Sequence, residues 1–403
     1  MRKYRFLFFL VIGGLTIRLV LANVPGFKID TDDWFAWALR LDEVGFSKFY
    51  SNQVFSDYTP GYMYILSLLV FVKNLLQIDN PTFYLILKLP AIFAEIILGA
   101  LIYLKLKQIV PGFYAKLAAF LIFLNPALIF NSSIWGQIDS ILALSLFLTI
   151  DFLQNKKLIL SSLLLGISLL IKPQTIAIIP VYFLFSIANF STRNIIKIVL
   201  PFLIILFIFS LPFFTYSLIG LINLIITTAS QYTVTSLFAY NFWGAVGFWI
   251  PDVTLWNDIS YQSWGYILLA GYWIIIGYLY LKKQLSVYVL AALATLGFFF
   301  LPTRVHERYL YPGLVFLILV AVTYKSKLLL VLTGILSLLH FLNLYYVYVY
   351  YNEFYFKLPK VLYNPIIYNF LDTNSKGLSL VSTILFILIV ISIIKNYAIS
   401  SET

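Results

Sequence analysis

Residues 195–213 read IIKIVLPFLIILFIFSLPF and carry one charged side chain, Lys197. Coiled into an α-helix, a run of this length covers roughly 28 Å, close to the roughly 30 Å of hydrocarbon in a bilayer. Apolar runs of this kind recur from residue 6 to residue 395. The sequence therefore predicts an all-α polytopic membrane protein, in which residues 1–403 form a single integral membrane domain.

The composition excludes ordinary soluble proteins. Hydrophobic residues make up 62% of the chain and charged residues 11%, whereas soluble domains have roughly 45–50% and about 25%. The net charge of +11 comes mostly from Lys and Arg beside apolar runs, so we expect no nucleic-acid partner. With no cysteine and only two histidines, the sequence predicts neither disulfides nor a metal site.

The apolar runs predict about twelve transmembrane helices, within a range of about 11–13. The predicted spans are residues 5–23, 83–104, 114–131, 139–154, 158–172, 174–190, 195–213, 264–281, 285–302, 309–324, 327–346 and 379–395. The further apolar run from Tyr62 to Ile78 is assigned to a juxtamembrane or re-entrant helix, because counting it would move the later cations outside. The cations assigned to cytoplasmic segments are Arg2, Lys3, Arg5, Lys105, Lys107, Lys116, Lys156, Lys157, Arg193, Lys197, Lys282, Lys283, Lys325, Lys327 and Lys395.

This sidedness puts both termini in the cytoplasm and three long segments outside. They are the first outer loop, 24–82, with its juxtamembrane helices, and the loops 214–263 and 347–378. Most acidic residues fall on the same side, so the outer face of a membrane, most simply a prokaryotic plasma membrane, is the predicted working face. The outer aromatic clusters fit either an interfacial belt or a sugar or isoprenoid groove. They comprise Tyr240, Phe242, Trp243, Tyr345, Tyr346 and Tyr348.

Three carboxylates, those of Asp30, Asp32 and Asp33, follow the first predicted span closely. Like charges at this spacing raise one another's pKa, which suits a general base near neutral pH. A solvated helix start, with Asp in the first turn, explains the same residues without any chemistry. The residues alone leave both interpretations open.

Four further polar segments lie at predicted outer junctions. Asp57 and Tyr58 precede a Pro-Gly turn, and Trp135, Gln137 and Asp139 offer amide and carboxylate groups to sugar hydroxyls, or form a polar helix-connecting turn. In the third segment, Lys172 lies on the side that the positive-inside rule disfavours, beside Gln174. The fourth, RVHER at 304–308, places two guanidiniums and an imidazole around Glu307. Such a cluster can hold a phosphate ester and stabilise its charge as it leaves.

These segments, in this order, resemble the GT-C superfamily of membrane glycosyltransferases, which use sugars linked to polyprenyl phosphate. The likeness is strongest to prokaryotic mannosyltransferases related to the second GPI mannosyltransferase, and it covers residues 30 to about 312. Its most specific parts are WGQIDS at 135–140 and HERYL at 306–310. Lys88-Leu89-Pro90 matches another recurring element, and Thr59 replaces a proline of the family's turn.

The resemblance implies a GT-C-like bundle and assigns roles to the polar residues. Asp30, which precedes Trp34 and Trp37 at the family-like spacing, is the expected general base, with Asp32 and Asp33 as alternates. The expected phosphate-binding residues are Lys172, Arg304, His306 and Arg308. The expected sugar- or acceptor-binding residues are Asp57, Tyr58, Trp135, Gln137, Asp139, Gln174 and Glu307.

The expected activity is an inverting transfer of a sugar, with mannose favoured, from a polyprenyl-phosphate-linked donor to a hydroxyl of a glycolipid, glycan or protein acceptor. No cofactor and no metal are expected, since cations already stabilise the leaving phosphate. The rival interpretation is a transporter or flippase of a lipid-linked saccharide. The polar clusters lie at the ends of predicted spans on one face rather than near the midplane, which favours an enzyme.

Overall fold

The computed structural model describes residues 5–51, 54–214, 217–283 and 285–400. The predicted cytoplasmic cations Arg2 and Lys3 lie outside these ranges. Helices make up 78% of the structure. The α-helices are α1 Arg5–Leu21, α2 Lys28–Val44, α3 Pro60–Leu75, α4 Asn80–Leu106, α5 Gly112–Phe123, α6 Pro126–Ile129, α7 Asp139–Gln154, α8 Leu158–Ile171, α9 Ile179–Asn189, α10 Thr192–Phe214, α11 Leu218–Ala229, α12 Phe242–Val246, α13 Tyr261–Lys283, α14 Val287–Phe300, α15 Tyr311–Thr323, α16 Lys327–Tyr348 and α17 Pro365–Ser400.

Within the described ranges, six helical stretches are long and apolar enough to cross a membrane. They are Asn80–Leu106, Gly112–Trp135, Thr192–Phe214, Tyr261–Lys282, Lys327–Tyr355 and Pro365–Asn396. Five shorter apolar helices accompany them, including α3, which covers most of the run assigned to a re-entrant or juxtamembrane helix. The all-α, multi-pass membrane character is therefore confirmed. The number of twelve spans stays a prediction.

The predicted span 114–131 is interrupted in the structure. Helix α5 ends at Phe123, and the side chain of Asn125 caps α6 by accepting from the backbone N–H of Ala127 and Leu128. A π-helical turn, Phe130–Trp135, then ends at Gly136, whose φ of +86° few residues other than glycine adopt. This break turns the WGQIDS segment inward before α7 begins.

The predicted loop 347–378 is mostly helical, contrary to expectation. Helix α16 passes into a π-helical segment, Val349–Tyr355, and α17 begins at Pro365. Tyrosine hydroxyls stabilise this region, since Tyr346 donates to Asp372 at 2.7 Å and Tyr348 to the carbonyl of Pro25 at 2.7 Å. The polar groups that made the segment look like a loop thus join helices to one another.

The strands are short and lie between helices. Strands β1 (Ser236–Leu237) and β4 (Val305–His306) pair in parallel, while β2 (Leu255–Trp256) and β3 (Ile259–Ser260) form an antiparallel hairpin. The β1–β4 pair ties the segment after α11 to the RVHER segment. Helix α15 follows immediately and is buried from Tyr311 to Val322. The turn before it, Glu307–Leu310, is therefore anchored to the interior.

Two buried cations, Lys88 and Arg18, bind partners within the helix bundle. Lys88 donates to the carbonyls of Ala22, Val24 and Ile134 at 2.9, 2.6 and 3.1 Å, joining the end of α1 to the π-helical turn. Arg18 of α1 pairs with Glu95 of α4, and both are fully buried. Removing one member of such a pair strongly destabilises the fold, because the other charge stays buried without a partner.

Candidate active site

Four segments that are far apart in sequence meet at one polar pocket. The start of α2, the loop before α3 and the turn Glu307–Leu310 before α15 line the pocket. The fourth segment, WGQIDS, contacts Asp30 behind the pocket wall through Trp135 and Gln137. Gly61 allows one of these approaches, because a Cβ there would lie 2.6 Å from the backbone carbonyl group of Leu170. The start of α3 is thereby held against the end of α8, where Lys172 follows.

Asp30 lies where these segments converge. One oxygen, Oδ2, accepts hydrogen bonds from Trp135 Nε1 at 2.6 Å and from Gln137 Nε2 at 2.8 Å. The other, Oδ1, lies 3.8 Å from a terminal nitrogen of Arg308. Trp135 is itself fixed by stacking on Phe27, with ring centroids 4.1 Å apart. Two donors hold the carboxylate in one orientation, which leaves Oδ1 facing the pocket cation.

Asp32 and Asp33, the alternates to Asp30 as general base, differ in where their carboxylates point. Asp32 turns away from the pocket, accepting from Lys28 Nζ at 2.5 Å and from the Tyr84 hydroxyl at 2.9 Å. Asp33 lines the pocket and has no hydrogen-bond partner among the described residues. Burial, followed by the negative charges of Asp30, Asp57 and Asp32, raises the pKa of Asp33 to about 7. Its charge therefore changes near neutral pH.

Gln137 is the centre of the hydrogen-bond network. Its amide oxygen accepts from the Tyr58 hydroxyl at 2.9 Å and from Lys172 Nζ at 3.1 Å, while its amide nitrogen donates to Asp30. Lys172 also pairs with Asp139 Oδ1 at 2.5 Å, and both side chains are at most 5% exposed. Trp135, Gln137, Asp139 and Lys172 thus form one continuous network with Asp30.

Arg308 is the cation that faces the pocket. It donates to Glu307 Oε1 at 3.1 Å and to His306 Nδ1 at 3.2 Å, while its Nε is buried with no partner among the described residues. An arginine only donates, so Nδ1 of His306 accepts and Nε2 carries the proton. Burial and the charges of Arg308 and Lys172 lower the pKa of His306 well below its usual value. His306 is therefore neutral near pH 7.

Arg304 lines the apolar cavity together with His306, but it lines neither of the two pockets that contain Arg308. Its guanidinium pairs with the buried Asp252, with Nε 2.6 Å from Oδ2, and donates to the carbonyl of Ala229 at 2.9 Å. Glu307 stays beside Arg308, and burial raises its pKa to about 7 despite that partner. Arg304 already has its counter-ion, so less of its charge is available to a ligand.

Asp57, Tyr58 and Gln174 border the network. Burial raises the pKa of Asp57 to about 6, and the charge of Arg308 opposes this effect. The Tyr58 ring lies under Lys172, with Nζ 5.4 Å from the ring centroid. Gln174 is 9% exposed, and its Oε1 has no hydrogen-bond partner among the described residues. These groups are available to a ligand that enters between them.

Three adjoining spaces surround these residues. The polar pocket, of about 90 Å³, is lined by Asp30, Asp33, Asp57, Glu307 and Arg308 among others. A smaller side pocket, of about 50 Å³, shares Asp57, Tyr58 and Arg308 with it and adds Lys172.

An apolar cavity of about 360 Å³ adjoins both. It shares Asp57, Tyr232 and His306 with the polar pocket. Elsewhere it is lined by Ile176, Ile225, Leu269, Trp273 and Phe298. A charged region and a wide apolar region are therefore contiguous, an arrangement that suits an amphipathic ligand.

The sequence missed most of the aromatic lining of the polar pocket. Tyr232, Phe238, Trp249 and Tyr351 line it, whereas the predicted clusters around Trp243 and Tyr348 are packed in the interior or bonded to backbone carbonyls. Local composition cannot separate the two sets. A positive φ at Phe238 and Trp249 depends on tertiary structure and leaves no signal in the sequence.

In the part of the chain that the structure describes, no group of three or more His, Cys, Asp and Glu side chains is arranged to hold a metal ion. Comparison with protein-family models found no match, and comparison with curated proteins found none either. We therefore infer function from the residues and their geometry.

Proposed function

We propose that the protein is an inverting glycosyltransferase that moves a sugar, with mannose favoured, from a polyprenyl-phosphate-linked donor to an acceptor hydroxyl. One observation carries the proposal. A carboxylate held by two donors and a guanidinium with an unpartnered nitrogen share a pocket that adjoins a large apolar cavity. A phosphate on a prenyl chain has the matching chemistry, since a charged head and an apolar tail need adjacent sites of opposite character.

The proposed step is a single displacement. Asp30 takes the proton of the acceptor hydroxyl through its free oxygen, Oδ1, and the hydroxyl oxygen bonds to the anomeric carbon. The bond between that carbon and the phosphate oxygen breaks, and its electron pair leaves with the polyprenyl phosphate. Attack opposite the leaving group inverts the anomeric configuration.

Arg308 and Lys172 stabilise the charge that develops on the leaving phosphate. The donor phosphodiester carries one negative charge and the released phosphate monoester up to two, so preorganised cations favour the transition state over the bound donor. Arg308 lines both the polar pocket and the side pocket, and Lys172 lines the side pocket. Neutral His306 supplies a hydrogen bond through Nε2 rather than a full charge.

The proposed topology is a GT-C-like bundle of about 12 spans, with cytoplasmic termini and the active site on the outer face of a prokaryotic plasma membrane. Two features support it: the positive-inside distribution of Lys and Arg, and helices within nearly all of each predicted span. Asp30, Gln137, Lys172 and Arg308 all come from predicted outer junctions, so the proposed sidedness gathers them on one face.

A transfer assay with purified protein tests the proposal against the alternative, a transporter or flippase of a lipid-linked saccharide. Protein in liposomes receives polyprenyl-phosphate [¹⁴C]mannose and a mixture of glycolipid and glycan acceptors. Release of polyprenyl phosphate coupled to a new glycosidic bond supports the transferase. Movement of intact donor between leaflets without bond formation supports the alternative and contradicts the proposal.

A further inference from the structure

One side of the polar pocket is not needed to bind the lipid-phosphate donor. Asp33, Phe238 and Trp249 line the polar pocket but neither the side pocket nor the apolar cavity. Lys172 lines the side pocket, and Ile176, Ile225, Leu269, Trp273 and Phe298 line the apolar cavity. None of these residues lines the polar pocket. A lipid phosphate is therefore best accommodated away from Asp33, which leaves the Asp33 side for the second substrate.

The two aromatic residues of this side have an unusual backbone. Phe238 has a φ of 62° and Trp249 a φ of 57°, a region that is unfavourable for bulky side chains. Surrounding contacts impose it: Asn343 donates to the carbonyl of Phe238 at 2.8 Å, and Trp249 N–H donates to the carbonyl of Ser236 at 3.1 Å. Strain that is maintained in this way is concentrated at ligand sites. Here it sets two rings 5.8 Å apart on the pocket wall.

The charges on this side are unbalanced. Asp30 and Glu307 both lie beside Arg308, at 3.8 and 3.1 Å. Asp33 has neither an ion pair nor a hydrogen bond within the described ranges. Besides burial, the negative charges of Asp30, Asp57 and Asp32 raise its pKa. An anion placed beside Asp33 therefore meets like charge, and the cation of the pocket, Arg308, already pairs with Asp30 and Glu307.

We propose that Asp33, Phe238 and Trp249 form the acceptor subsite, and that the acceptor is an uncharged carbohydrate. The apolar C–H face of a pyranose ring packs against the aromatic rings, and a ring hydroxyl donates to the Asp33 carboxylate. Phosphorylated sugars and uronic acids are disfavoured by the same carboxylate. The inference rests on the proposed transferase, because it names the class of that enzyme's second substrate.

Binding of small glycosides without any donor tests this subsite. Saturation-transfer NMR on the full-length protein in detergent compares methyl α-mannoside with methyl α-glucuronide as direct competitors. We expect the neutral glycoside to bind at least about tenfold more tightly. Asp33→Asn should reduce this ratio to about threefold or less, since the repelling charge is gone.

The aromatic wall is tested by a graded pair of variants. Trp249→Ala should weaken binding of methyl mannoside about threefold to tenfold, and Trp249→Phe should restore most of it. Matched controls are Trp256→Ala and Asp258→Asn, two exposed residues of the β2–β3 hairpin outside the pocket. These controls should leave both affinities unchanged. Restoration by Phe separates loss of stacking from loss of folding.

Three results overturn the inference: no binding of the neutral glycoside, equal or tighter binding of the uronide, or a ratio that Asp33→Asn leaves unchanged. The proposed function is judged separately, by bond formation from the lipid-linked donor. Efficient transfer to anionic acceptors would refute the subsite and keep the transferase. Selective binding of neutral glycosides without transfer would keep the sugar subsite and refute the transferase.

Discussion

Replacing Lys172 with Met tests two roles of this lysine, a structural one and the proposed one with the donor phosphate. The side chain pairs with Asp139 at 2.5 Å in a region where both are almost fully buried. Its loss leaves a buried carboxylate with one remaining hydrogen bond, from Asn131 Nδ2 at 3.1 Å. Loss of stability and loss of phosphate binding are thus both expected, and a second substitution distinguishes them.

The structure sets the size of each effect. Breaking a buried ion pair from one side costs about 3–5 kcal/mol of unfolding free energy, and the bond from Asn131 favours the lower end, about 3 kcal/mol. Adding Asp139→Asn removes the stranded charge, so the double variant should be within about 1 kcal/mol of the wild type. Affinity for polyprenyl phosphate should fall about 10- to 100-fold in both variants, because a charge-assisted hydrogen bond is missing.

The assay measures denaturant unfolding and polyprenyl-phosphate binding on the same detergent-solubilised samples. Lys105→Met is the matched control, since Lys105 also pairs with an aspartate, Asp151 at 2.9 Å, but both are about one-fifth exposed. It should cost about 1 kcal/mol or less and leave binding unchanged. A double variant that recovers stability together with full binding and transfer would refute a phosphate role for Lys172.

Three further predictions concern other parts of the site. Trp135→Phe removes one hydrogen bond to Asp30, so kcat should fall about tenfold in steady-state assays with the donor KM unchanged; an unchanged kcat would contradict the positioning role. Arg304→Gln strands Asp252 and should lower the unfolding free energy by about 1–3 kcal/mol, while donor affinity, measured by titration, stays within about twofold; a large loss of affinity would return Arg304 to the phosphate site. Because the pKa of Asp33 is about 7, exclusion of the uronide should strengthen from about pH 6 to about pH 8 as the proton is lost. Asp33→Asn should weaken that trend in NMR competition and leave the part due to Glu307, whose pKa is also about 7; a trend of unchanged size would assign it to another group.

The helices were predictable because a backbone in an apolar environment must satisfy its hydrogen bonds internally. The predicted span 139–154 coincides with α7, and 158–172 with α8 to within one residue. The break at Asn125 was missed because the surrounding run is apolar, although Asn125-Pro126 carries a local signal, an N-cap residue followed by Pro at the first helical position. The helical extensions of α16 and α17 were missed because these residues are polar. In the structure, tyrosine hydroxyls there bind groups that are distant in sequence.

Within the site, helical geometry explains what the residues alone left open. Residues three apart share a helix face, so Asp30 and Asp33 point together into the pocket, and Asp32 points away to Lys28. Once α2 is recognised as a helix, its periodicity removes Asp32 from the candidates. The pairing of Arg304 with Asp252 spans 52 residues, and no local pattern predicts it.

The aromatic residues that line the polar pocket could not be predicted from the sequence either. Tyrosine, tryptophan and phenylalanine are abundant throughout the chain, at 19% of residues, so enrichment marks no particular site. Only tertiary contacts distinguish the rings of Phe238 and Trp249, which line the pocket, from that of Trp243, which is buried and donates to the carbonyl of Leu301.

The central claim is that Asp30 is the base of a sugar transfer from a lipid phosphate. The most direct measurement compares Asp30→Asn with wild type in two assays on one preparation, binding of polyprenyl-phosphate mannose and single-turnover release of polyprenyl phosphate. The side-chain amide keeps the size of the carboxylate but takes up no proton. We expect donor affinity within about threefold of wild type and a transfer rate lower by about 10²- to 10⁴-fold. Transfer at the wild-type rate in this variant would contradict the account.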